Sequence, residues 1–212
     1  VLARIIRNRD VTEEEGVRKF LYGTLEDCHS PWLLYHMEKA VELLKEEIDA
    51  GSHIRVIGDY DVDGTTAVAL VYKFLQQFYS NMDYYIPDRY NEGYGVTYKG
   101  VDYAVETGVK LVIVLDCGIK AIDEIAYAKE KGIDFIICDH HTPGDVTPKA
   151  VAVLNMKRAD CLYPFKELSG CGVGFKLVQA YAQRRGLDMQ EVYRLLPLLA
   201  MSIASDIVPV TG

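Results

Sequence analysis

From residue 54 onward, short apolar runs alternate with longer stretches of helical period, and few folds accommodate that pattern. The runs lie at residues 54–57, 84–86, 111–115, 135–138 and 151–154, and helices are predicted between them at 65–79, 98–106 and 121–131. Strands that lack a polar face are covered on both sides, and strand–helix–strand repetition joins parallel neighbours. The expectation is an α/β fold, a parallel five-stranded Rossmann-like sheet flanked by helices.

Helical segments are predicted on either side of the sheet. Residues 33–48 place apolar groups on one face and Glu/Lys on the other, with Gly51 as the stop. A shorter helix is expected at 12–22, opened by a Thr12 cap. Two more are predicted at 173–185 and 189–205. The chain thus divides into an N-terminal helical segment, 1–50, and a second unit, 51–212, whose end at Val208-Pro209-Val210-Thr211-Gly212 reads as a linker.

The 212 residues, half of them apolar, suffice to bury a core for one domain. The net charge of −8 argues against gripping nucleic acid through global charge, although bound divalent cations reverse the sign of a carboxylate pocket. Five cysteines in irregular spacing, with no CxxC pair, point to a reducing, cytoplasmic setting and against a zinc ribbon. No apolar run approaches the ~20 residues that span a bilayer, so no membrane partner is expected.

In open parallel sheets ligands gather beyond the carboxyl ends of the strands. After 54–57 comes Gly58-Asp59-Tyr60-Asp61-Val62-Asp63-Gly64-Thr65-Thr66, after 111–115 comes Asp116-Cys117-Gly118, and after 135–138 comes Asp139-His140-His141. Singly, these are a helix cap, a turn and a surface His pair. The first also imitates an EF-hand loop, but its twelfth position is Leu70 instead of Glu. Together they deliver carboxylates and imidazoles to one sheet edge. Such a cluster stays ionised only around cations, and oxygen with neutral imidazole suits Mn²⁺ or Mg²⁺. A two-ion site of that kind serves phosphoryl chemistry.

These motifs resemble the DHH phosphoesterases, which Asp139-His140-His141 names. The fuller set is similar to the RecJ exonucleases within that superfamily: the Asp59–Thr66 motif, Pro87-Asp88-Arg89 leading to Glu92-Gly93-Tyr94-Gly95, Leu115–Gly118, Leu168-Ser169-Gly170-Cys171-Gly172-Val173-Gly174-Phe175-Lys176, and Ala204-Ser205-Asp206. The likeness runs in order along the whole chain. It implies metal ligation by Asp61, Asp63, Asp116, His140 and Asp206, with Asp116 as bridge, and Asp59 as a further ligand or a hydrogen-bonding neighbour of the ligands. It implies that Asp139 orients a ligand and that His141 touches the scissile phosphate or leaving oxygen. It further implies a second, C-terminal DHHA1-type domain outside this chain.

Other residues have two readings each. Arg89 offers a planar fork to phosphate or forms a surface ion pair. Ser169, Gly170, Gly172 and Gly174 present N–H groups to a phosphate at a helix start, with Lys176 adding charge, or serve close helix packing. Tyr90, Tyr94 and Tyr98 stack on bases or belong to core and rim. The leading functional reading is a metal-dependent 5′→3′ single-stranded-DNA exonuclease domain of repair and recombination. By the resemblance its partners are single-stranded DNA, single-strand-binding protein and a helicase. The competitors are a DHH hydrolase of short oligonucleotides, cyclic dinucleotides or pyrophosphate, and a non-catalytic DNA-binding scaffold.

Overall fold

A computed structural model describes residues 2–210; of the expected linker at 208–212, the last two residues lie outside them. In chain order the helices are α1 (Leu2–Arg7), α2 (Glu14–Tyr22), α3 (Met37–Asp49), α4 (Val62–Leu75), α5 (Tyr98–Glu106), α6 (Ile122–Glu130), α7 (Gly170–Arg185), α8 (Met189–Tyr193) and α9 (Leu196–Asp206). The strands are β1 (His53–Gly58), β2 (Met82–Tyr85), β3 (Val109–Leu115), β4 (Asp134–Cys138) and β5 (Ala152–Leu154). They form one sheet in the order β2-β1-β3-β4-β5, with every neighbouring pair parallel.

The sheet is covered on both faces, and the strand sequences show how. Leu111, Ile113 and Leu115 of β3 and Ile136 and Cys138 of β4 enter one core with α3, α4 and α7. Val112 and Val114 of β3 and Phe135 and Ile137 of β4 enter the other, against Val101 and Ala104 of α5 and Ile125 and Ala128 of α6. A period of two with both faces apolar is what makes each strand a continuous hydrophobic run. Within the sheet a charge is buried at Arg55 of β1, which is 1% exposed. Its Nε and Nη2 bond Asp83 of the edge strand β2, at 2.7 and 2.6 Å, and the guanidinium lies 4.5 Å from the Tyr103 ring centroid, so the buried charge has an ionic partner.

Because α4 leads from β1 to β2 over one face and α6 leads from β3 to β4 over the other, β1 and β3 are neighbours with diverging connections. A crevice opens between their carboxyl ends, where ligands settle in doubly wound sheets. The loops after β1, β3 and β4 all end there.

Several helix boundaries differ from expectation. α2 starts at Glu14 behind Glu13, and no side chain caps it; Thr12 lies too far upstream to reach the first turn. α3 starts at Met37 and not at residue 33, because His36 takes a left-handed conformation (φ 67°) after a short 3₁₀ turn, Pro31–Leu33. The helix expected over 189–205 is two, divided before Pro197 in the first turn of α9, where a proline ring is tolerated. α7 begins at Gly170, capped by the Ser169 side chain, earlier than the expected 173. α3, assigned to the N-terminal segment, packs Met37, Ala40, Val41 and Leu44 into the same core as the sheet. Among the described residues no helix is long and apolar enough to cross a membrane.

Candidate metal centre

The β1–α4 junction is too tight for side chains on its glycines. A Cβ on Gly58 would meet Val68 Cγ2 at 2.4 Å, and one on Gly64 would meet the Asp59 carbonyl oxygen at 2.4 Å. This closeness fixes three carboxylates in different directions. Asp59 is 5% exposed and points into the crevice. Asp61 caps α4, its Oδ1 accepting from Gly64 N at 2.9 Å. Asp63, in the first turn of α4, reaches the start of α7: Gly170 N donates to its Oδ2 at 2.7 Å and Cys171 N to its Oδ1 at 2.8 Å. A helix N-terminus holds a carboxylate well, since unsatisfied N–H groups and the helix dipole both favour negative charge. Ser202 of α9 adds a donor to Asp63 Oδ1 at 2.7 Å, and its own hydroxyl oxygen lies 2.6 Å from that of Ser169. Three helices thus meet on one acidic side chain.

At the end of β3, Asp116 adopts a left-handed backbone (φ 60°), a region that Asp and Asn tolerate better than most residues. Its N–H still bonds Cys138 O at 2.9 Å, continuing the β3–β4 ladder by one step while the side chain turns into the crevice. At the end of β4, Asp139 is nearly inaccessible and fully engaged. Its Oδ1 accepts from the backbone N–H groups of His140 and His141 at 2.7 and 3.0 Å and lies 2.7 Å from His141 Nδ1; its Oδ2 accepts from Ile119 N at 2.8 Å. Burial pushes the Asp139 carboxyl upward, but the bonds from His141 and Ile119 outweigh it and hold the group below the usual carboxylate range. The same contact with Asp139 raises His141, against the opposing effect of burial.

The remaining groups converge without satisfying one another. His140 Nε2 lies 3.1 Å from Asp116 Oδ1 and 3.7 Å from Asp63 Oδ2, and His140 Nδ1 lies 3.7 Å from Asp206 Oδ2. Yet Asp116 Oδ1, His140 Nδ1 and Asp59 Oδ1 are buried with no hydrogen-bond partner among the described residues. Ligating atoms within 4.8 Å of one another form three overlapping groups: Asp59, Asp61 and Asp116; Asp116, His140 and His141; Asp63, His140 and Asp206. Burial, followed by the nearby charges of Asp63 and Asp61, pushes the Asp116 carboxyl up to about 10. Burial likewise raises Asp59 and Asp206. Buried acceptors left unpaired are costly, and oxygen and imidazole donors so arranged fit a hard divalent cation. Asp116 and His140 each belong to two of the three groups, which gives the site the connectivity of a two-ion centre.

Not every predicted site residue joins it. The N–H groups of Gly170 and Cys171 are taken by Asp63 and that of Gly172 by Ser169 Oγ (3.1 Å), so the expected phosphate cradle of Ser169, Gly170 and Gly172 is instead a carboxylate anchor. A Cβ on Gly170 would fall 2.5 Å from Asp116 Oδ1, and one on Gly174 would meet Leu115 at 3.0 Å; these glycines serve close packing. Lys176 brings no charge to the centre. It is buried, its Nζ donates to His29 O (2.7 Å) and Gln179 Oε1 (3.0 Å), and it faces a mostly apolar cavity of about 640 Å³ beneath α2 and α9. Arg89 is exposed, with its guanidinium 5.2 Å from the Tyr60 ring centroid and no ion pair among the described residues. Tyr94 donates to Asp116 O at 3.3 Å and stands edge-on to His141, at the rim of the centre. Tyr90 is 92% exposed, and Tyr98 packs edge-on against Tyr127. Ser202 went unnoticed in the sequence: a Ser within an apolar helix carries no local signal of a contact 139 residues away.

Residues 53–203 match the model of the DHH family, N-terminal domain. The chain is 37% identical to the single-stranded-DNA-specific exonuclease RecJ of Bacillus subtilis (strain 168), over 99% of this chain and 26% of that protein. It is 34% identical to the protein of the same name from Escherichia coli (strain K12), over 99% of this chain and 37% of that one, so it spans well under half of either relative. Among solved structures, exonuclease RecJ bound to manganese superposes with a TM-score of 0.77 at 34% identity, over 84% of this chain and 45% of that one. RecJ of Thermus thermophilus in complex with Mn²⁺ does so with a TM-score of 0.72 at 30% identity, covering 84% and 25%. With the family model spanning sheet, crevice and Asp–His–His motif alike, this chain belongs to the DHH family.

Proposed function

We propose that this chain is the metal-dependent phosphodiesterase domain of a RecJ-type 5′→3′ single-stranded-DNA exonuclease. The observation that carries the reading is the set of buried, unpaired acceptors, Asp59 Oδ1, Asp116 Oδ1 and His140 Nδ1, within overlapping ligand groups. Asp59, Asp61, Asp63, Asp116, His140 and Asp206 would hold two Mn²⁺ or Mg²⁺ ions, with Asp116 shared between them. Bound there, such ions polarise phosphate oxygens and make a water acidic enough to act as hydroxide near neutral pH.

The chain's own groups supply the rest. Asp139 holds Nδ1 of His141 and so presents Nε2 to the scissile phosphate or leaving oxygen. Asp63 and Ser202 brace α4 against α7 and α9, keeping Asp61 and Asp206 in register. Arg89, stacked on Tyr60 and unpaired, offers a bidentate fork to a phosphate of the strand. By the same reading, residues 1–50 are a helical segment attached to a catalytic domain at 51–212, and the protein works in DNA repair and recombination in the cytoplasm. Single-strand-binding protein and a helicase are its further partners.

The test is digestion of 5′-labelled single-stranded DNA with Mn²⁺, run with this chain and with the complete protein, beside dinucleotide and cyclic dinucleotide substrates. The expected result is stepwise release of mononucleotides from the 5′ end. Turnover of the short or cyclic substrates with long strands left intact would reject the exonuclease reading. In the same assay Arg89→Ala is expected to weaken strand binding about tenfold while leaving Mn²⁺ affinity unchanged.

A further inference from the structure

Beyond the metal centre, the crevice continues as a cleft of about 510 Å³, within the range of small-ligand pockets. One wall carries Asp59, Asp61 and His141; Tyr94 and Gly95 form the rim; the turn from Gly118 into α6 closes the far side. Four acids line this cleft, Asp59, Asp61, Asp139 and Glu124, and Lys120 is the lysine among them. Lys120 is exposed and forms no ion pair among the described residues, although Glu124 lies one helical turn further on.

The backbone that carries Lys120 is fixed to the chemistry of the site. Gly118 turns with φ +99°, and Ile119 N then donates to Asp139 Oδ2 at 2.8 Å. The other oxygen of the same carboxylate lies 2.7 Å from His141 Nδ1. A single buried side chain therefore sets both the ring of His141 and the start of Lys120. The turn is closed by Ala121 N donating to Gly118 O at 3.0 Å and Ile122 N to Lys120 O at 3.0 Å. A lysine whose backbone is held in register with the reacting centre, in a cleft whose other charged groups are mostly acids, is placed to meet an anion that has already been brought there.

We infer that Lys120 binds the phosphate next to the scissile one, making this cleft the subsite for the adjacent nucleotide. The inference rests on the proposed function, since it supposes a nucleic-acid strand at the metal centre. Lys120 is a binding residue for the strand and takes no part in holding the ions.

The probe is a 5′-phosphorylated, 3′-fluorescein oligodeoxythymidylate with phosphorothioate linkages, titrated by anisotropy in Mn²⁺ over a series of KCl concentrations. Lys120→Ala is expected to weaken binding about three- to tenfold and to reduce the slope of log K against log[salt] by about 0.7, the value for one contact on a single strand. Lys120→Arg is expected to retain both, and calorimetric Mn²⁺ affinity is expected to stay at the wild-type value in each variant. If the wild type binds the probe and Lys120→Ala matches it in affinity and slope, the inference is overturned and the proposed function stands. A parallel loss of Mn²⁺ affinity also overturns it, because the lysine would then act through the metal centre. A wild type that takes up Mn²⁺ yet never binds the probe overturns the nucleic-acid reading itself, and Lys120 falls with it.

Discussion

Asp116 joins two demands that conflict in a protein without ions: a left-handed backbone and a carboxylate with no donor. Its raised pKa, about 10, means that the folded, metal-free protein holds this group protonated through neutral pH. The unfolded chain titrates it near the ordinary value of about 3.9. Between those values the folded state binds the extra proton, so the group's contribution to stability is fully present below the unfolded pKa and is lost as pH rises toward about 10. Asn has nearly the same shape, tolerates φ > 0 and never ionises. Asp116→Asn in EDTA is therefore expected to raise the melting temperature relative to wild type, by about 2–4 °C for each kcal/mol at this size, with the gap widening from pH 5 to pH 8. Mn²⁺ is expected to stabilise the wild type and not the variant. A gap that stays constant across that pH interval would show that the buried carboxyl is not the cause. Asp139 runs the other way: its lowered pKa stabilises the fold above the usual carboxylate range and ceases to do so as pH falls through the folded value.

At the scale of elements, the centre depends on how closely the start of α7 approaches the ends of β1 and β3. Gly170→Ala would set a Cβ 2.5 Å from both Cβ and Oδ1 of Asp116, neither of which has room to retreat, since the Asp116 N–H is tied to β4. The expected cost is about 1–3 kcal/mol of stability together with weakened Mn²⁺ binding. Gly172→Ala meets Leu168 Cβ at 3.3 Å and is expected to be milder on both counts. Denaturant melts with and without Mn²⁺ check the order; equal effects would mean that α7 is not braced on the site. These approaches also explain what was legible in the sequence. The strands were readable to within a residue or two because a doubly covered strand is one apolar run, and the Asp and His motifs were readable because they directly follow such runs. The start of α7 was not: glycines at 170, 172 and 174 weaken local helix propensity, and what fixes that end is Asp63, 107 residues away. A still longer separation, 139 residues, concealed Ser202. In the sequence the glycine-rich stretch fits a phosphate cradle and close helix packing equally, and what decides between them is that its N–H groups serve a carboxylate.

For the molecule as a whole, the candidate ligands begin at Asp59 and end at Asp206, so ions at the centre would tie the last helix to the first strand. The helices are not equally secured without them. α4 buries nine residues and α7 thirteen, whereas α9 fully buries Ser202 alone and packs three leucines part-buried against the core. Opening free energies follow such differences in burial, and a ligand stabilises every state that binds it, by about 2.7 kcal/mol at a hundred times Kd. For α4 and β3 this adds to an already high barrier, so their amides exchange through global unfolding with or without metal. For α9, whose Leu196, Leu198 and Leu199 are only part-buried against the core beside the Ser202 contact, it is a larger fraction of the whole. Hydrogen exchange is therefore expected to show Mn²⁺ slowing the amides of residues 196–206 more than those of any other helix. Asp206→Asn is expected to abolish that local gain while keeping most of the slowing in the sheet, because Asp59, Asp61, Asp116 and His140 would still hold an ion. Slowing spread evenly over all helices would mean that α9 opens only when the entire chain does, and that Asp206 is not the tether proposed for it.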